Sequence, residues 1–338
     1  MIGYLKITTL TLLWLWTATA FAQTYADKDY YLVDSLSLEN LTETDRHLVD
    51  SCLNLYHTAK HDTDRVNAIN HIVEESWDNN LWPKYNLWVY GFVQEKQENA
   101  PGPPTTPAAR ALRIALAGAL NNIGFVHQNQ GDIPLALEYY HKGLKIQEEI
   151  SDKQGMATSY NNIGLIHRHQ GDIPLALEYY HKSLKILEEI GNKKGMASSY
   201  NNIGVIHKNQ GDIPLALEYY HKSLKTSEQI GDKQLTASVL RNIGSLLLED
   251  GKALGMSESS VLGGARKNGE RGLKIAQELG FPDQIQRNAG LLSKVARKQG
   301  NFKEALEMYE LQVAYRDSMK NEETQKASIR QQTRYEFE

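Results

Sequence analysis

Between residues 108 and 318, apolar residues recur at three- and four-residue intervals, in blocks about the length of single helices. In one block Ala157, Tyr160, Ile163, Gly164 and His167 share a face; in the next, Ile173, Ala176, Leu177, Tyr180 and Leu184 do. That spacing predicts paired amphipathic helices, each with one stripe to bury. The punctuation agrees. Gly171 tolerates the left-handed backbone that stops the first helix, Asp172 caps the second, and Pro174 sits in its first turn, where no intrahelical N–H is needed. Gly191-Asn192-Lys193 reads as the turn that ends the second helix.

The pattern repeats. Tyr-Asn-Asn-Ile-Gly occurs at 160–164 and 200–204, with close variants at 120–124 and 240–244, so that Gly124, Gly164, Gly204 and Gly244 stand 40 residues apart. Gly-Asp-Ile-Pro-Leu-Ala-Leu-Glu-Tyr-Tyr-His-Lys recurs unchanged at 131–142, 171–182 and 211–222. The alanines Ala136, Ala176, Ala216, Ala265 and Ala305 extend the register to about five units, with steps of 40, 40, 49 and 40. The nine extra residues fall near 253–261, where the Ser and Gly content predicts a surface loop. The small residues have a steric task. Gly164 in the first helix and Ala176 in the second let two backbones approach, and Tyr180 fills the space beside them; Tyr140, Tyr220 and Tyr309 hold the equivalent place. One hairpin cannot bury both faces, so neighbouring units must stack.

Ile163, Gly164, Gly171, Ala176 and Tyr180, with their counterparts 40 residues away, resemble the tetratricopeptide repeat family. The period of 40 and the lack of a proline closing the second helix depart from the usual repeat and are similar to the long repeats of kinesin light chains and cell-polarity adaptors. The resemblance implies an all-α fold, a right-handed superhelical solenoid of stacked hairpins, with the first helix of each unit lining a concave groove that binds peptide segments. On that basis the chain divides into a signal peptide (1–22), an irregular helical cap with a Pro-rich linker (23–107), the array (108–318) and a charged C-terminal helix (319–338).

Two ends of the chain add to this. Lys6, the apolar stretch Ile7 to Trp16 and Ala20-Phe21-Ala22 predict a signal peptide cleaved at Ala22-Gln23, hence export to the periplasm or beyond. From Tyr309 onwards the sequence stays helical, with little apolar surface beyond Lys320 and no stop signal at Glu338. This stretch resembles the stalk of Bacteroidota-type membrane signalling proteins, in which an exported repeat region leads to a membrane helix and a cytoplasmic kinase, cyclase or DNA-binding domain. The resemblance implies a sensor arm, membrane contact only through a segment following Glu338, and a homodimer through the C-terminal helix.

Composition narrows the chemistry. The net charge of −4 gives no general basic field for nucleic acid, and the mean hydropathy of −0.50 argues against a multi-span membrane protein. A single cysteine, Cys52, leaves no internal disulfide, so stability must come from packing. His127, His167 and His207 repeat at 40, as do His141, His181 and His221. Equivalent residues on stacked helices stand ~8–10 Å apart, too far to share a zinc with bonds of ~2 Å, so these read as packing or surface histidines. No catalytic or phosphate-binding motif appears, and no cofactor is expected. The asparagine pairs are the candidate site. One member of each pair, taken as Asn121, Asn161 and Asn201, is expected to face the groove and clamp a peptide backbone with its amide. Arg168, Lys208 and Arg241 lie near the same face and suit a carboxylate. The expected partner is therefore a protein or peptide.

Overall fold

A computed structural model describes residues 27–76, 78–99 and 104–337, with side chains as far as Lys320. The expected signal peptide, Trp77 and the Pro101-Gly102-Pro103 part of the linker lie outside the described residues. Among those described there is no strand. The helices are α1 (Lys28–Tyr31), α2 (Glu43–Thr58), α3 (Asp62–Glu75), α4 (Trp82–Asn99), α5 (Pro107–Gln130), α6 (Ile133–Glu149), α7 (Lys153–Gln170), α8 (Ile173–Glu189), α9 (Lys193–Gln210), α10 (Ile213–Gln229), α11 (Lys233–Asp250), α12 (Glu258–Leu279), α13 (Pro282–Lys298) and α14 (Phe302–Phe337). The chain forms two compact units, residues 1–155 and 156–338, whose boundary falls within α7.

The first unit holds the irregular helices and the first hairpin of the array. Its core joins Leu53, Ile69, Tyr85, Val89 and Val93 to Leu116 and Leu120 of α5. Cys52 is part of this core, and burial pushes its thiol pKa up, which keeps it protonated and unreactive. Pro107, read from sequence as a linker residue, is instead the first residue of α5: Thr106 caps the helix by accepting from the Ala109 N–H, and a proline at that position loses no intrahelical bond.

The second unit stacks α7/α8, α9/α10, α11/α12 and α13/α14. The hairpins turn as the sequence predicts. Gly171, Gly191, Gly211 and Gly231 have φ between 67° and 82°, and Asp172, Asn192, Asp212 and Asp232 each accept from a backbone N–H three residues on. Within a hairpin the glycine sits under the tyrosine ring. A Cβ on Gly164 would lie 3.1 Å from Tyr180 and 3.3 Å from the Ala176 carbonyl; on Gly204 it would lie 2.7 Å from Tyr220. In the first unit Gly124 packs on Tyr140 in the same way. Between hairpins, Tyr180 and Leu184 of α8 pack on Ile203 and Ile206 of α9. The repeated histidines stack on tyrosines, His167 on Tyr179 and His207 on Tyr219, both at 5.6 Å between ring centres, which is a packing role.

The last two hairpins modify the device. In the fourth unit of the repeat, Gly269 stands where a tyrosine would, and Leu291 of the next helix fills the slot beside Gly244. The nine-residue insertion is not a loop: residues 251–254 form a 3₁₀ turn, Ser257 caps α12, and Val261 is buried against Gly251. In the fifth unit Tyr309 departs from its expected place and is 52% exposed. Its partner position, 12 residues before Ala305, holds Ser293, whose Cβ occupies the slot the ring would need and whose hydroxyl donates to the Ala305 carbonyl at 2.8 Å. α14 is instead held by Met308, Leu311 and Tyr315 packed on Leu273, Ala276, Ile285 and Leu292, and by Arg266, which donates to both carboxylate oxygens of Glu304 at 2.6 and 2.9 Å.

The close approach of glycine and tyrosine sets a test. Gly204→Ala is expected to lower the melting temperature, because overpacking costs about 1–3 kcal/mol against ~1 kcal/mol of gained helix propensity. Gly118→Ala, at an exposed helical glycine with open space around it, is expected to raise the melting temperature in the same assay.

Candidate functional site

The asparagine pairs are placed by helical geometry on the inner helices, and the structure shows how they are used. Asn202 of α9 donates its amide to Oδ1 of Asn161 on α7 at 3.1 Å, and Asn242 of α11 donates to Oδ1 of Asn201 on α9 at 2.8 Å. In the first unit Asn122 donates to Oδ1 of Asn86 at 2.9 Å, and Asn86 in turn donates to the Ala119 carbonyl. The second asparagine of one repeat thus bonds the first asparagine of the repeat before it, forming a ladder of side-chain amides between stacked inner helices. Asn161 and Asn201 are half-buried with one oxygen committed to this ladder. Asn121 is buried, and its Oδ1 lies close beside the Gly143 backbone on α6.

The ladder stops at a defined step. Position 241 is the counterpart of Asn201, but it holds Arg241; the residue that should donate to it, 49 positions after Asn242, is Leu291. Gly290, the counterpart of Arg241 in the next repeat, has no side chain, and the Gln312 amide packs against it. A pocket of about 360 Å³ opens there, lined among others by Lys208, Tyr220, Arg241, Arg287, Lys294 and Gln312. Arg241 Nε is buried and has no hydrogen-bond partner, and no carboxylate lies within ion-pair distance of this guanidinium among the described residues. Burial lowers its pKa, the neighbouring Arg287 lowers it further, and Asp283 only partly offsets them. Even so, a guanidinium remains charged at neutral pH. A half-buried cation without an ion-pair partner costs free energy that an incoming anion would recover.

The other cations differ in availability. Lys208 is paired across the stack with Glu249 at 2.7 Å, and Arg287 donates to Asp283 at 2.7 Å. Lys294 lies exposed on the pocket rim. Arg168 does not line the pocket; its guanidinium lies 3.0 Å from His169 Nε2 and close enough to Tyr180 and Tyr220 to act on their phenols. Burial raises the pKa of Tyr220, which keeps its hydroxyl protonated as a donor toward the pocket. The structure therefore joins Lys208 and Arg241 of the expected set and adds Arg287 and Lys294. These two stand seven residues apart on one face of α13, a spacing visible in the sequence once that helix is recognised as an inner one.

Two substitutions separate the roles. Asn201→Ala is expected to cost about 1 kcal/mol, since Asn242 loses a hydrogen-bond acceptor in a half-buried position. Arg241→Gln is expected to melt at the same temperature or higher, because it removes a half-buried charge that Asp283 offsets only in part. Thermal melting by circular dichroism reads both, and a marked loss on Arg241→Gln would contradict this account of the pocket.

Residues 115–189 and 195–253 match the family model of the tetratricopeptide repeat. These segments are tetratricopeptide repeats, and they contain the glycine, alanine and tyrosine positions of the central hairpins. No curated protein matches the chain. Among solved structures, the fold is similar to BtubC from P. vanneervenii (22% identity, covering 70% of this chain and 91% of that one, TM-score 0.56). It is also similar to a Rap protein complexed with competence and sporulation factor (15% identity, 81% and 76% covered, TM-score 0.52). A putative kinesin light chain with nearly identical repeats, from Podosopora anserina, matches at 13% identity, with 62% and 98% covered and a TM-score of 0.48.

Proposed function

We propose that the chain is a protein- or peptide-binding scaffold whose second unit receives an acidic segment of its partner at Arg241. The single observation that carries this reading is the break in the amide ladder, where a half-buried guanidinium, its Nε unbonded and no carboxylate within ion-pair distance, faces a pocket lined by Lys208, Arg287 and Lys294, with Glu249 held by Lys208. An extended peptide places a side-chain carboxylate there, forming charge-assisted hydrogen bonds with Arg241 and Tyr220. The remaining inner-helix amides, on Asn161 and Asn201, keep their N–H groups for the peptide backbone. A Rap protein of the same fold type is found in complex with competence and sporulation factor, which supports a ligand-receiving role for such stacks. The role is binding rather than catalysis, in keeping with the match to a repeat family.

The proposal extends to location. The pattern of Lys6, the apolar stretch Ile7 to Trp16 and Ala20-Phe21-Ala22 supports a signal peptide, and with it a site of action outside the cytoplasm. A second reading, a sensor arm of a membrane signalling protein, draws on α14, which runs for 36 residues and outlasts the 17-residue helix beside it. No helix among the described residues is long and apolar enough to cross a membrane.

The test uses an array of random peptides presented with acidic residues and with the matching amides. The chain is expected to select the acidic members, measured by fluorescence anisotropy, with affinity falling as salt rises. Arg241→Gln should weaken binding by about tenfold to a hundredfold, the worth of a hydrogen-bonded charge, while the fold stays intact. Equal binding of acidic and amide peptides, or unchanged affinity in Arg241→Gln, would refute the assignment.

A further inference from the structure

The outer face of α14 carries an apolar stripe that no element of its unit covers. Phe302 is 70% exposed, Leu306 57% and Tyr309 52%, and the half-buried Val313 continues the line one turn on. These positions correspond to Ile173, Leu177, Tyr180 and Leu184 of α8, which pack against the inner helix of the following hairpin through Met196, Tyr200, Ile203 and Ile206. In α8 the cover arrives because the helix stops at Glu189 and a short turn returns the chain. α14 does not stop. It continues to Phe337, so the chain leaves the end of the stripe at Val313 behind by roughly 36 Å at a rise of 1.5 Å per residue. The chain's own next segment is therefore carried away from the face it would have to cover.

The flank of the stripe indicates what fits it. Lys303 and Glu310 lie seven residues apart along the same edge, too far to pair with each other within one helix. We infer that this face binds the same face of a second copy of the chain, antiparallel, about a two-fold axis between Leu306 and Glu307. At that register Lys303 stands opposite Glu310 of the second copy, and the reverse pair forms by symmetry. The apolar positions interdigitate: Phe302 falls between Tyr309 and Val313 of the second copy, Tyr309 falls between Phe302 and Leu306, and the two Leu306 side chains meet near the axis. A parallel pairing would instead place the Lys303–Glu310 edges of the two copies on opposite sides of the contact, and neither ion pair would form. Interfaces below about 1,200 Å² are weak and reversible, and one helical face of four apolar residues belongs with them, so the dimer forms as concentration rises. The contact lies on residues 302–313 and not on the charged stretch beyond 319 that the sequence resemblance singled out.

Analytical ultracentrifugation of the full chain across a concentration series tests this. The expected result is a monomer–dimer equilibrium that Leu306→Asp shifts to monomer by at least about tenfold in dissociation constant, with helix content and melting temperature unchanged. Lys303→Glu and Glu310→Lys should each weaken the dimer. An equimolar mixture of the two variants, or the double variant Lys303→Glu/Glu310→Lys, should restore it, which only the antiparallel register allows. Leu306→Cys should give an oxidised, covalently linked dimer, since the native cysteine is buried. A chain that stays monomeric up to its solubility limit, a dimer indifferent to Leu306→Asp, or single charge variants that dimerise like the parent would each overturn the inference.

Discussion

The first three hairpins of the array each depend on a glycine held against a tyrosine ring. Where the inner helix lacks a Cβ, the ring of Tyr140, Tyr180 or Tyr220 can lie flat between two backbones, fully buried beside an alanine that is equally small. The contact fixes both the distance between the paired helices and the direction in which the rest of each outer helix faces. That direction sets where the next hairpin must land, because Tyr180 and Leu184 are covered only when Ile203 and Ile206 arrive. Burial of four aliphatic and aromatic side chains at each step, at ~1.5–3 kcal/mol apiece, is what a chain with no internal disulfide has to rely on. The last hairpin shows the rule by exception. With Ser293 in the glycine position, the ring of Tyr309 is excluded, and α14 is anchored through its opposite side and through the Arg266–Glu304 pair.

Once the hairpins are fixed, the inner helices stack in register, and side chains at the same place in successive repeats become neighbours. The amide ladder follows from that geometry. An asparagine offers a donor and an acceptor, so identical pairs in consecutive repeats can bond each other without any change of sequence. A duplicated block therefore carries its own adhesive with it. The same logic explains why a single departure matters. Replacing one asparagine by Arg241 removes an acceptor, and placing Leu291 in the next repeat removes the donor. The step is left with a cation, an apolar side chain and the pocket beside them.

Much of this was legible in the sequence, for a physical reason. Periodicity, turn glycines, capping aspartates and the small residues at helix contacts are local requirements, and repetition states each of them several times. The long continuation of the last helix was legible as well, since nothing between Tyr309 and Glu338 stops it. What escaped the sequence depends on neighbours distant along the chain. Gly300, Ala305 and Tyr309 keep the repeat signature, yet the burial of Tyr309 is decided by Ser293, which lies outside the motif. The insertion near 253–261 has loop-like composition, but Val261 finds Gly251 and draws the segment into helix. The asparagines were read as facing a ligand because a single helix shows only which side they are on. Their commitment to one another appears only when two repeats are set side by side. Arg287 and Lys294 were passed over because α13 shares little of the repeated sequence.

A repeat array makes the cost of a special residue easy to see, because the unmodified version stands one step away. Asn201 and Arg241 occupy the same place in consecutive repeats, so the first shows what a purely structural choice is. It is neutral, bonded to the next repeat and inexpensive to bury. Arg241 gives up that bond and places a charge in a partly buried site where burial and Arg287 both oppose it. Stability alone does not favour such an exchange, since an unpaired buried charge is among the more expensive groups a fold can hold. Asp283, the acid that offsets it, is already engaged by Arg287 at 2.7 Å. On the proposed reading the compensation comes from outside the chain, from an anionic group of the partner that enters the pocket and bonds Arg241.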